Sequence, residues 1–140
     1  MVVRAPHPLD AARGVSGRAV VSAAAGGSSG WLRASGALMS AAGVALGAWA
    51  AHGAAEPVRV LAQTAAVHAF GHGVALAALA RGPLSRLARA ALVLLLTGSV
   101  LFAGSLAWKA MAGGSSAAAP FGGVMVLLGW LLYAASALRD

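Results

Sequence analysis

"LARAALVLLLTGSVLFAGSLAW" occupies residues 87–108, and apart from Arg89 near its start it carries no charge. A helix needs about 20 residues to cross a hydrocarbon core of about 30 Å. This stretch is long enough to cross and too long for a typical strand. It therefore predicts a membrane-spanning helix.

Three similar blocks surround it. One runs from about Ala34 to Gly53, one from about Val58 to Ala80 and one from about Pro120 to Leu138. The linkers between the four are short: "AAEPVR", "RGPLSR" and "KAMAGGSSAAA". Connections of this length force neighbouring helices to run antiparallel. Pro57, Pro83 and Pro120 stand near helix starts, where a missing N–H costs little. The fold class expected is all-α: an integral membrane four-helix bundle with antiparallel neighbours, formed by residues 31–140.

Composition agrees. The chain has 140 residues, of which 60% are hydrophobic and 9% charged. A soluble domain has roughly 45–50% apolar and 25% charged residues. The absence of cysteine excludes disulfides, thiolate metal sites and thiol catalysis. Residues 1–30 are rich in Ala, Gly, Ser and Arg with no sustained apolar run. They read as a disordered extension or a start called too early, with a transit peptide as a third reading. His7 lies there and has no role.

The net charge is +7, and only Asp10, Glu56 and Asp140 are acidic. A basic protein can bind nucleic acid. Here no basic groove interleaved with aromatics is visible, so no nucleic-acid partner is expected. In a membrane protein, arginines and lysines mark the cytoplasmic loops instead. Four spans place both termini on one side, with Arg4, Arg13, Arg18, Arg33, Arg81, Arg86, Arg89 and Arg139, of which Arg33 and the middle-loop trio suffice without the long extension. The other side has only Arg59 and Lys109. The expectation is an inner (plasma) membrane protein with both termini cytoplasmic. Trp31, Trp108 and Tyr133 suit the interfaces, and Trp49 and Trp130 suit packing.

Lipid tails are as apolar as leucine, so helices associate through close van der Waals approach of small residues. In the first span Gly36, Ser40, Gly43, Gly47, Ala51 and Ala54 recur at spacings of three and four. Thr97, Gly98, Leu101, Gly104 and Ser105 share a face of the third span. Gly122, Gly123, Val126, Gly129 and Tyr133 share one of the fourth. The positions expected to pack helices are Gly43, Gly47, Gly104, Ser105, Gly122, Gly123 and Gly129.

The second span is the polar one. At 100° per residue Thr64, His68, Gly71, His72 and Ala75 fall in one sector, with Gln63 off that stripe. His68 lies near mid-membrane and His72 one turn further toward the cytoplasm. His52, at the end of the first span, lies more than two turns from His68 in depth, too far for one shared metal site. The candidate functional polar positions are His72, His52, Thr64, Gln63 and His68. Ionisable groups within a span are functional candidates by default.

Four motifs in order, "GAWAAHGA" (47–54), "QTAAVHAFGHGVAL" (63–76), "LFAGSLAW" (101–108) and "APFGGVMVLLGWLLY" (119–133), resemble a family of small membrane proteins. This is the YgdD- and YwdK-like family called domain of unknown function 423. The resemblance covers roughly residues 34–138. It carries the family's first histidine onto His52, its Gln-Thr pair onto Gln63 and Thr64, and its second-span histidine onto His72. His68 stands where the family usually has Tyr, and Ala103 where it usually has Ser. Phe102, Gly104 and Ser105 match the third motif. Pro120, Gly122, Gly123, Gly129 and Trp130 match the fourth. The resemblance implies a four-helix inner-membrane protein and no particular reaction.

The preferred functional reading is a structural or accessory component without enzymatic activity. Its partners would be the lipid bilayer and other membrane proteins or further copies of itself. The alternative is a small-solute or proton transporter using the polar face of the second span. A metal- or haem-binding subunit ranks lower, because the histidine pair has no Cys, Asp or Glu nearby to complete a site. An enzyme ranks last: "AGSLA" around Ser105 lacks a nucleophile elbow. No cofactor, catalytic residue or metal ligand is assigned.

Overall fold

The structure, a computed structural model, describes the backbone of residues 8–139 and the side chains of residues 29–139. It has four helices: α1 (Pro8–His52), α2 (Val58–Leu79), α3 (Arg86–Ala112) and α4 (Ala119–Ala137). Each contains a stretch long and apolar enough to cross a membrane, Ser29–His52 in the case of α1. The protein is all-α and its helices carry the four expected spans. α3 is longer than expected, reaching Ala112. Its 27 residues extend about 40 Å at 1.5 Å per residue, more than a bilayer core, and such a helix is accommodated by tilting.

The backbone of α1 begins at Pro8, ahead of the expected first span. Lengthening an existing helix needs no new nucleus, and the alanines and arginines of this segment are good helix formers. Residues 1–7, with His7, lie outside the described residues.

Ends are set by local chemistry. Ser85 caps α3 by accepting a hydrogen bond from the Ala88 N–H (3.2 Å). Gly113 ends α3 in the left-handed region (φ 66°), a conformation that side chains with a Cβ resist. Pro120 sits in the first turn of α4, where no intrahelical N–H is needed. In the α1–α2 turn, Arg59 donates to the Ala54 carbonyl (3.2 Å) and faces Glu56 at 3.7 Å. Both side chains of that pair are about half exposed, so it contributes at most about 1 kcal/mol.

The helices form two antiparallel hairpins, α1 on α2 and α3 on α4, joined mainly where α2 meets α3. α1 touches α3 only slightly, and among the described residues the α1 and α4 backbones do not meet. The bundle is thus open along one side rather than closed in a ring. Leu32, Leu76, Leu92, Leu95 and Val126 form the core near the arginine-rich end. Ala65, Ala69, Ala103 and Leu106 continue it, and Ala50, Ala62 and Ala110 finish it at the other end. Small buried side chains dominate because the helices approach so closely.

Both hairpins are seamed by glycine. A methyl added at Gly36 would lie 2.7 Å from the Gly73 carbonyl oxygen, and one at Gly43 2.7 Å from the Phe70 nitrogen. A methyl at Gly122 would lie 2.5 Å from the Phe102 nitrogen, and one at Gly129 3.0 Å from the Leu95 nitrogen. Gly98 faces Gly122 across the same seam. Gly47 and Gly123 are looser, with neighbours at 3.6 and 3.7 Å. Gly104 departs from its expected packing role: it is exposed and its Cβ position meets nothing within 4 Å. α4 approaches α3 at Gly98 and Phe102, and Gly104 lies about 160° round the helix from Phe102, which leaves it facing outward.

Candidate functional site

The polar sector of α2 borders a groove of about 600 Å³ that opens to the side of the bundle. Gln63, Thr64, Val67, His68, Gly71 and His72 line it from α2, and Phe102 from α3. Four of the five candidate polar positions therefore come together here. His52 does not: it is exposed at the end of α1, outside this lining.

Inside a span, hydrogen bonds must be found within the protein. Thr64 Oγ1 donates to the Val60 carbonyl one turn back (2.9 Å). His72 Nδ1 lies 2.9 Å from the His68 carbonyl oxygen. Since a carbonyl only accepts, this assigns the proton of His72 to Nδ1 and leaves Nε2 with a lone pair in the neutral ring. His68 is different. Its Nε2 is shielded and has no hydrogen-bond partner among the described residues. Ser105 Oγ, on α3, donates back to the Phe102 carbonyl (3.0 Å).

The histidines belong to a ladder of rings. His68 stacks on His72 with centroids 4.0 Å apart and planes 25° from parallel. Phe102 closes the other face of His68 at 4.4 Å. Beyond His72 come Trp130 at 6.2 Å and then Tyr133, edge-on to Trp130 at 6.5 Å. The ladder crosses from α3 through α2 to α4, and its His72–Trp130 step links α2 and α4, whose backbones do not meet among the described residues. Tyr133, expected at the interface, is half-buried in it.

This geometry bears on chemistry. Ring nitrogens bind a metal in the plane of the ring. Two rings lying nearly face to face point their lone pairs along separate, near-parallel planes, and one of the four nitrogens is already used by a carbonyl. The i, i+4 spacing alone would have allowed a shared ligand; the stacking does not direct both rings at one point. Phe102 and Trp130 were not singled out with the histidines from sequence. Their place in the third and fourth motifs was the available signal.

A multi-pass membrane protein of four helices, with a ring-lined polar groove on the second, is the class these features define. The chain belongs to the family described as protein of unknown function DUF423, whose model matches residues 46–123. The match takes in the end of α1, all of α2 and α3, and the start of α4, so it contains His52, the whole groove and Gly122. No curated protein and no solved structure matches the chain.

Proposed function

We propose that the protein is a non-enzymatic accessory component of the inner (plasma) membrane, with both termini in the cytoplasm, that works by associating with other membrane helices. The observation carrying this reading is the open side of the bundle. Among the described residues the α4 backbone packs against α3 only and α4 reaches α2 through Trp130 beside His72, which leaves Phe121, Val124, Leu127, Leu128 and Leu131 exposed along its length. The connectors between the helices are too short to hold a soluble domain, which supports a reading centred on the helix faces.

The chain lacks cysteine, so an introduced one is the sole thiol. Leu131→Cys on α4 is expected to give bismaleimide adducts in native membranes, and Val44→Cys on α1 is not. A protein that stays alone from both positions defeats the accessory reading. The orientation rests on the arginine asymmetry. A reporter fused after Asp140 is expected to signal from the cytoplasm, and a periplasmic signal refutes that arrangement.

The groove favours a second reading, a proton or small-solute path along α2. In reconstituted vesicles containing a pH-sensitive dye, that reading requires a flux that falls in His72→Ala. A flux unchanged by the substitution removes it.

A further inference from the structure

Arg33 and Arg81 line one pocket of about 610 Å³ at the arginine-rich end of the α1–α2 hairpin. The rest of the lining is small: Gly30, Ala34, Ala37 and Ala77. Arg33 sits one turn inside the span that begins at Ser29, and Arg81 stands just past the end of α2. The pocket therefore straddles the level at which lipid headgroups meet hydrocarbon.

Its walls are fixed. Ser29 Oγ donates to the Gly82 carbonyl (3.3 Å), tying the turn after α2 to α1. Gly36 and Gly73 bring the two backbones together immediately beneath. Both arginines are exposed. Among the described residues no carboxylate faces either: Glu56, the one acidic side chain described, pairs with Arg59 at the opposite end. The end of α2 contributes roughly half a negative charge from its last carbonyls, against two full positive charges. The pocket is net positive, with a slot of small apolar residues leading into the bilayer.

Guanidinium groups present a planar fork that matches two oxygens of a phosphate. Basic pockets between spans on the cytoplasmic side suit anionic headgroups. We propose that Arg33 and Arg81 bind the phosphate group of an anionic phospholipid, with an acyl chain lying along the alanine-lined slot. The site is separate from the histidine groove and independent of its role.

The test uses the full chain in nonionic detergent, with bound lipid followed by native mass spectrometry. The probes are phosphatidylglycerol, phosphatidylcholine and inorganic phosphate. Phosphatidylglycerol is expected to bind at least about tenfold more tightly than phosphatidylcholine. Arg33→Gln and Arg81→Gln are each expected to weaken it about tenfold, the usual scale for losing a charge-assisted hydrogen bond. Arg59→Gln, at the other end, is expected to leave it unchanged, and Arg33→Lys to retain part of the affinity. Equal affinity for the two lipids overturns the proposal, as does an equal loss in Arg59→Gln. Inorganic phosphate binding as tightly as the lipid overturns the lipid assignment in favour of a soluble phosphate. The comparison of lipids on the unaltered chain and the Arg33→Lys variant decide the matter even where a glutamine variant fails to fold.

Discussion

Gly122→Ala is expected to destabilise the protein by about 3 kcal/mol, the upper end of the usual range for overpacking. The added methyl meets the Phe102 nitrogen at 2.5 Å, the Gly98 oxygen at 2.7 Å and the Phe102 Cα at 2.9 Å. All three belong to the backbone of α3, so no side chain can swing aside. The helices must part, and the approaches at Gly98 and Gly129 loosen with them. Unfolding in mixed micelles, followed by loss of helicity, measures the effect. Gly104→Ala is the control. Its Cβ position is open, and alanine favours a helix over glycine by up to about 1 kcal/mol. Equal stability of the two variants would show that the α3–α4 seam is not closed by backbone contact.

His68→Phe carries the opposite sign. It is expected to stabilise the protein by about 1–2 kcal/mol, the scale of desolvating a polar atom with no partner. The ring that stacks between His72 and Phe102 is kept, and the shielded Nε2 is removed. The carbonyl of residue 68, which receives the His72 bond, survives the exchange. His72→Phe is expected instead to lose about 1 kcal/mol with that bond. The same micelle unfolding reads both. A His68→Phe protein less stable than the parent would mean that Nε2 has a partner after all, and would return His68 to the functional residues.

The helices were legible in the sequence because each is a long apolar block ended by charge, Gly or Pro. The packing was legible only in part. Gly36 and Gly43 share a face in any helix, and that face is the one α2 meets. Gly104 lies about 120° round the helix from Gly98, at the far edge of the small-residue sector, and only Gly98 meets α4. The groove was half legible. Thr64, His68 and His72 line up by periodicity, whereas Phe102 and Trp130 arrive from other helices at angles that no single periodicity encodes. His52 shares the motif match but not the groove: it sits exposed at the end of α1, and its place at the end of the first span was the signal that sets it apart from the other two.

The division of labour between the seams also has a bearing on biogenesis. Glycine closes α1 onto α2 and α3 onto α4, whereas α2 meets α3 through alanine, leucine and the His68–Phe102 ring contact. Each glycine seam lies between segments adjacent in the chain, so the first hairpin has both its halves before α3 is synthesised. The molecule is laid out for insertion as two successive self-sealing units, the second docking against a template already in place.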